Sequence, residues 1–217
     1  MSEKRTDASV PEAISIVAIC FGWAIAASFH AVSAGVATGT GFSDAGFLGV
    51  IAIEFISAVT VLTVLATRNY AVRTLFPTPT LTGCGAGLVL YVIACVFGML
   101  LAIPFAHDTA TQPIEKLMAH ATVSLPVLVA AAVVNGNFEE IFLLGYLARG
   151  LAGRGFAIAV GVSLAVRVTY HFYQGPAGAA FVFGYGLLVG IFYVRTRALF
   201  PVIFAHVLGD VAPFLLR

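Results

Sequence analysis

The stretch that decides the fold is residues 81–105, which read LTGCGAGLVLYVIACVFGMLLAIPF. No Asp, Glu, Lys or Arg interrupts it, and it exceeds the roughly 20 apolar residues that an α-helix needs to cross the hydrocarbon core of a bilayer. A helix that is apolar on every side is stable only inside lipid or inside a larger protein core. The stretch therefore predicts a membrane-spanning helix.

Similar apolar stretches recur along the whole chain. We identify seven, at residues 13–36, 47–66, 81–105, 122–147, 156–172, 177–194 and 199–216. The longer connection around residues 107–120 has room for a short interfacial helix. The pattern predicts an all-α fold, a polytopic membrane helix bundle of about seven transmembrane helices.

Composition excludes several other classes of protein. Apolar residues make up 60% of the chain and charged residues only 10%, whereas an average soluble domain carries about 25% charged residues. The net charge of +1, without a dense basic segment, gives no basis for binding nucleic acid. The three cysteines lie inside apolar runs without C-x-x-C spacing, which indicates neither a zinc site nor a disulfide framework.

The basic residues predict the orientation of the bundle, because cytoplasmic loops of membrane proteins are enriched in Lys and Arg. With the N-terminus in the cytoplasm, only Lys116 and Arg217 fall on the opposite side, and Arg167 lies within a span. All the others fall on the cytoplasmic side: Lys4, Arg5, Arg68, Arg73, Arg149, Arg154, Arg195 and Arg197.

Ionisable side chains inside the spans are the candidates for function. A charge near the middle of a bilayer costs at least about 2.5 kcal/mol, so a retained one needs a partner or a role. Those within the predicted spans are Glu54, Glu139, Glu140, Arg167 and Asp210, together with His30, His171 and His206.

Their spacing predicts that several converge on one site. Adjacent helical residues such as Glu139 and Glu140 point about 100° apart, so one can face a cavity while the other meets a neighbouring helix. His206 and Asp210 are four residues apart and share one helix face, as Arg167 and His171 do on another helix. These polar faces predict a common site in the interior of the bundle.

The motifs resemble those of the CPBP family, the CAAX-protease and bacteriocin-processing (Abi-type) intramembrane glutamate proteases. Residues 139–147, EEIFLLGYL, resemble the first family motif, E-E-x-x-x-R followed closely by Gly. His171 matches the histidine of F-x-x-x-H, and His206 with Asp210 matches H-x-x-x-N or H-x-x-x-D. The resemblance covers about residues 122–210. It divides one integral membrane domain, residues 1–217, into N-terminal helices without motifs (13–121) and helices that carry the catalytic motifs (122–217).

The resemblance implies an intramembrane endopeptidase that uses neither a cofactor nor a metal ion. Glu139 would act with His171 to hold and deprotonate the attacking water, and Glu140 would support the site through its hydrogen bonds. His206 and Asp210 would stabilise the oxyanion. Because an ionised carboxylate cannot donate to an oxyanion, we expect Asp210 to act by orienting His206.

The expected substrate is a membrane-embedded or lipidated protein or peptide that enters laterally from the membrane lipid. The resemblance admits prenylated CAAX proteins, secreted and bacteriocin precursors and membrane sorting tails as substrates. We expect an integral membrane protein of a bacterial plasma membrane, on the compactness of the chain, and the sequence leaves its oligomeric state open.

Two positions depart from the family pattern. Leu144 stands where the first motif has arginine, and Arg167 stands where the second has phenylalanine. One hypothesis is that Arg167 replaces the missing arginine in space and neutralises Glu140 from the neighbouring helix. The alternatives are that Arg167 pairs with Glu54 or reaches an aqueous cavity, or that the lost arginine marks a noncatalytic member.

Two other functions remain open from the residues alone. Two histidines and a carboxylate could form a catalytic zinc site, which would make the protein a zinc-dependent membrane protease, although no H-E-x-x-H motif is present. The buried acids could also hold helices together in a noncatalytic membrane immunity or scaffold protein.

Overall fold

The structure is a computed structural model that describes residues 4–35, 37, 39–106 and 112–216. Over these residues the chain forms eight α-helices, which are α1 (Val10–Ala34), α2 (Asp44–Thr67), α3 (Leu81–Ala102), α4 (Pro113–Ala119), α5 (Leu125–Glu140), α6 (Phe156–Tyr170), α7 (Gly175–Thr196) and α8 (Leu199–Leu215). A π-helical segment, Ile141–Ala148, continues α5. Short 3-10 turns lie at Val72–Leu75, Ile103–Phe105, Ala152–Arg154 and Phe172–Gln174.

The predicted all-α membrane bundle is confirmed. Seven of the helices correspond to the seven apolar stretches, and α4 is a short helix in the connection at 107–120. Residues 107–111 of that connection, and Val36 at the end of the first stretch, lie outside the described residues. By length and apolar composition, five helical segments can cross a membrane, and α6 and α8 are shorter apolar helices.

Local signals in the sequence set the beginnings of several helices. The side chains of Ser9, Ser43 and Thr80 accept hydrogen bonds from the backbone N–H groups at the starts of α1, α2 and α3. Such N-caps satisfy donors that have no partner within the helix. Each cap directly precedes an apolar helix and marks where that helix begins.

The end of α5 and the π-helical segment lie at the centre of the bundle. α5 packs against α2 and α8, α6 packs against α1 and α7, and α3 packs against α7 and α8. Every residue from Phe138 to Ala148 is buried. In the segment Ile141–Ala148 the turn widens, so that the N–H of Arg149 bonds to the carbonyl of Leu144, five residues earlier. Widened turns of this kind are rare and are frequent at functional sites.

The N-terminal segment before α1 is hydrogen-bonded to the connection that follows α2. The backbone of Arg5 pairs with Asn69 and Ala71, and its guanidinium contacts the buried carboxylate of Glu12 at 2.5 Å. The hydrogen bond to Glu12 raises the pKa of Arg5. The hydroxyl of Tyr146 donates to the other oxygen of Glu12 at 2.8 Å. Glu12 thereby links the π-helical segment to Arg5 of the N-terminal segment.

Candidate active site

Three helices bring the predicted site residues together in the interior of the bundle. Glu139 and Glu140 end α5, His171 follows α6 directly, and His206 lies on α8 with Asp210. A cavity of about 920 Å³ is lined by every one of these side chains except Glu140. Glu140 lies behind the cavity and is fully buried. The two adjacent carboxylates therefore face different surroundings, as their helical spacing predicts.

The Glu139 carboxylate is held at the cavity wall by three donors from two helices. The hydroxyl of Tyr170 and the guanidinium of Arg167, at 3.2 Å, donate to Oε2. The amide of Asn135 donates to Oε1 at 3.2 Å. His206 Nε2 lies 3.9 Å from Oε2. These donors fix the orientation of a carboxylate that lines the cavity.

Glu140 holds the imidazole of His206. Its Oε1 lies 2.6 Å from His206 Nδ1 and also accepts from Arg167 Nη2 at 2.7 Å. Among the described residues, no side chain or backbone group bonds to the second oxygen, Oε2. Hydrogen bonds of charged groups are shorter and stronger than those between neutral ones. Glu140 therefore fixes the direction in which the histidine presents its other nitrogen.

Arg167 bridges the two carboxylates from α6. It is 4% exposed, and its two terminal nitrogens contact Glu139 and Glu140 separately. The predicted contact with Glu140 is confirmed, and the guanidinium also lines the cavity. The alternative pairing with Glu54 is wrong, because Arg167 pairs with Glu139 and Glu140, while Glu54 Oε1 accepts from Asn135 at 2.7 Å and its Oε2 has no hydrogen-bond partner among the described residues.

Asp210 lies in the position predicted for it but makes a looser contact. Its Oδ1 is 3.6 Å from His206 Nε2, which exceeds ordinary hydrogen-bond distance. We expected Asp210 to orient His206, whereas the 2.6 Å contact that orients this ring comes from Glu140. Asp210 instead adds a carboxylate beside the nitrogen that faces the cavity.

His171 lies just past the end of α6. Its Nδ1 is 2.9 Å from the carbonyl oxygen of Arg167, one turn earlier. Since a carbonyl only accepts, this contact places the proton on Nδ1 and leaves Nε2 with a lone pair in the neutral ring. The ring packs against Tyr170, with ring centroids 4.5 Å apart.

The half of the chain without motifs also contributes a residue to the site, namely Glu54. Asn135 connects Glu54 to Glu139. The Asn135 amide nitrogen bonds to both Glu54 on α2 and Glu139 on its own helix. Glu54 is 3% exposed and lines the cavity. Its second oxygen has no bonding partner in the part of the chain that the structure describes.

Sequence reasoning missed Tyr170 and Tyr185. Tyr170 donates to Glu139, and its position next to His171 was the available signal. Tyr185 lines the cavity from α7 and is buried. Its hydroxyl has no bonding partner among the described residues. An isolated tyrosine in an apolar helix gives no sequence signal for such a position.

The ionisable side chains of the site do not form a ready metal centre. Over the described ranges, no group of three His, Cys, Asp or Glu side chains is placed to hold a metal ion. In both histidines Nδ1 is engaged, by a backbone carbonyl for His171 and by a carboxylate for His206, which leaves Nε2 as the free ring nitrogen. The chemistry that the geometry offers is acid–base chemistry between a carboxylate and two imidazoles.

Comparison with known families agrees with the motifs. Residues 121–212 match the family model described as type II CAAX prenyl endopeptidase Rce1-like. The matched region contains Glu139, Glu140, His171, His206 and Asp210. It confirms the resemblance to the CAAX-protease family over about two-fifths of the chain. Searches of curated proteins and of solved structures found no match.

Proposed function

Because its residues 121–212 are Rce1-like, we propose that this integral membrane protein is an endopeptidase that hydrolyses a peptide bond in a membrane-embedded or lipidated substrate. One observation carries the proposal. The Glu139 carboxylate faces a cavity inside an apolar bundle, together with His171 and His206. We propose that the membrane is a bacterial plasma membrane.

Glu139 is the proposed general base. Water bound between its carboxylate and the unprotonated Nε2 of His171 loses a proton to Glu139 as its oxygen attacks the substrate carbonyl carbon. Proton transfer by a positioned side chain contributes about 10²- to 10⁴-fold to a reaction rate. The donors Tyr170 and Arg167 hold the carboxylate in one orientation.

His206 is the proposed donor to the oxyanion. With a proton on Nδ1 shared with Glu140, Nε2 can donate only when the ring is doubly protonated. Nearby carboxylates favour a charged imidazolium, and Glu139 and Asp210 lie within 4 Å of Nε2. A fixed donor directed at developing negative charge is a large source of catalysis in a dry site.

Collapse of the tetrahedral intermediate completes the proposed reaction. The bond between the carbonyl carbon and the amide nitrogen breaks, and Glu139 returns its proton to the leaving amine. The products are a carboxylic acid and an amine, and Glu139 is again ionised. Arg167 and Glu140 touch no reacting atom and act as positioning residues for Glu139 and His206.

The substitution Glu139→Gln tests the proposal. The amide is nearly the same size but cannot accept a proton, so we expect at least a 100-fold loss of cleavage. Membrane peptides from cells with wild-type or variant protein are compared by mass spectrometry. Peptides cleaved only in wild-type cells identify substrates, which are then assayed with protein in detergent.

The matched control is Glu115→Gln, on the exposed surface of α4. We expect this variant to cleave like the wild type, and the melting temperatures of both variants show whether the bundle remains folded. Unchanged cleavage by folded Glu139→Gln protein would rule out the mechanism and would favour a noncatalytic scaffold.

A further inference from the structure

The cavity runs from the site toward one end of the bundle. Cys20 and Glu139 line its deep part and are almost fully buried. Half-buried residues before α2, after α6 and near the end of α8 line its outer part, namely Ser43, Gln174 and Ala212. Exposure of the lining therefore increases from the buried Glu139 toward this end of the bundle.

The arginine-rich loops lie at the other end of the bundle. Arg5 contacts the carbonyl of Arg68 at 3.2 Å, and Arg149 contacts Thr74 at 2.8 Å. Arg5 belongs to the N-terminal segment, Arg68 and Thr74 to the connection between α2 and α3, and Arg149 directly follows the π-helical segment. In the ranges 68–80, 149–155 and 195–198, no residue lines the cavity. By the enrichment of arginine in cytoplasmic loops, this end is cytoplasmic.

The cytoplasmic side of the site is also closed by packed side chains. The π-helical segment Ile141–Ala148 lies between Glu140 and the cytoplasmic Arg149, and all eight of its residues are buried. Leu143, Tyr146 and Ala148 are fully buried. No residue of this segment lines the cavity. Such close packing leaves no room for a peptide to pass.

We propose that the active site receives its substrate from the extracytoplasmic face of the membrane. On the proposed function, the substrate is then a translocated polypeptide whose apolar segment enters the cavity between α2, α7 and α8. A C-terminal tail that remains in the cytoplasm would meet the packed π-helical segment. The occupant is apolar because carbon-rich side chains such as Phe21, Trp23 and Phe181 form much of the wall.

Site-directed labelling of single cysteines tests the direction of access. Cys20, Cys84 and Cys95 are replaced by alanine, and Ala212→Cys is introduced as the cavity reporter. The probe is a membrane-impermeant methanethiosulfonate with a quaternary ammonium group, whose positive charge suits the carboxylates of the cavity. It is applied to intact cells without an outer barrier and to inverted membrane vesicles.

Three further variants serve as controls. Ala45→Cys, exposed at the start of α2, reports the extracytoplasmic side. Gly153→Cys reports the cytoplasmic side, where an added Cβ meets nothing within 4 Å. Ala148→Cys is buried in the π-helical segment and is expected to react only after denaturation.

We expect Ala212→Cys to react only from the face that labels Ala45→Cys, and at least 10-fold faster than Ala148→Cys. Reaction from the face that labels Gly153→Cys would overturn the proposal, as would reaction of native Ala148→Cys from that face. No reaction of Ala212→Cys from either face would contradict an open cavity. Labelling does not depend on cleavage, so it tests the direction of access even if the Glu139→Gln experiment in detergent contradicts the proposed activity.

Discussion

Asn135 is the residue through which the motif-free half of the chain reaches the candidate base. Its single amide group donates to Glu54 and Glu139 at 2.7 and 3.2 Å. Two carboxylates this close to one amide would repel each other if both were ionised. We therefore interpret Asn135 as a positioning residue that keeps Glu139 directed at the cavity while Glu54 remains nearby.

We expect Asn135→Ala to reduce cleavage by about 10- to 100-fold, because a hydrogen bond to a charged group contributes about 1.5–3 kcal/mol. Asn137→Ala is the matched control, since the Asn137 amide donates to the backbone of Val133 at the surface and the residue does not line the cavity. Turnover and melting temperature are measured for both variants. Equal turnover by the two would contradict a positioning role for Asn135.

Arg167 carries the only guanidinium within reach of the two carboxylates among the described residues. Replacing it by leucine leaves buried carboxylates without their cation, which we expect to cost about 3–5 kcal/mol of stability. Leu144 occupies the arginine position of the family motif and is 2% exposed. We expect Leu144→Arg to restore part of the melting temperature and turnover that Arg167→Leu loses.

Arg154→Leu, on the exposed 3-10 turn Ala152–Arg154, controls for the loss of a positive charge alone. A folded but inactive Arg167→Leu variant that Leu144→Arg fails to rescue would contradict the exchange of positions between the two helices.

At the residue scale, the sequence predicted the positions of charged and ionisable side chains best. The placement of Glu139, Glu140, His171 and His206 was predictable because ionisable groups in an apolar span need partners. The second contact of Arg167, to Glu139, depends on side-chain geometry that spacing alone does not give. The sequence did not predict a role for Tyr170 in the site, because a tyrosine is compatible with an ordinary membrane helix.

At the scale of elements, close approach of α3 and α8 depends on small residues. A Cβ on Gly87 would lie 2.6 Å from the backbone oxygen of Pro201, whereas a Cβ on Gly85 meets nothing within 4 Å. Small residues let helix backbones approach closely in lipid. Helix spacing alone does not show that Gly87 meets α8 while Gly85, two residues earlier, does not.

We expect Gly87→Ala to lower the melting temperature in detergent, because the backbone of α8 must move. Gly85→Ala is the matched control and should be neutral or slightly stabilising, since alanine has the higher helix propensity by about 1 kcal/mol. Thermal unfolding of both variants makes the comparison. A melting temperature of Gly87→Ala equal to or above that of Gly85→Ala would contradict the contact.

The π-helical segment could not be predicted from the sequence. Residues 141–148, IFLLGYLA, are apolar on every side, so they carry no periodicity that distinguishes a widened turn from an α-helix. Tyr146 in this segment bonds to Glu12 on α1, a tertiary contact that the apolar pattern does not reveal.

At the scale of the whole molecule, the order of the seven apolar helices followed from the apolar stretches, and five helical segments are long enough to cross a membrane. The division into a motif-free half (13–121) and a motif-bearing half (122–217) stays a prediction. Glu54, on α2, nevertheless lines the cavity beside Glu139. Helices without motifs therefore complete the site, a contribution that motif matching alone does not reveal.

The short lengths of α6 and α8 have a consequence for the surrounding lipid. With 15 and 17 residues, they extend about 22 and 26 Å at 1.5 Å per residue, whereas the hydrocarbon core is about 30 Å thick. Phe156, Ile158 and Val162 of α6 are exposed on its outer surface. Hydrophobic mismatch of this kind is relieved by local thinning of the bilayer.

Thinning beside α6 would bring headgroups and water closer to the end of that helix, where His171 lies. We expect turnover in vesicles of short-chain monounsaturated phosphatidylcholine to exceed turnover in long-chain vesicles of the same headgroup by several-fold. Equal amounts of folded protein in the two preparations are verified by their unfolding transitions. A turnover rate independent of acyl-chain length would show that the helices, not the lipid, adjust to the mismatch. A rate that depends on acyl-chain length would make membrane thickness a natural regulator of this protein.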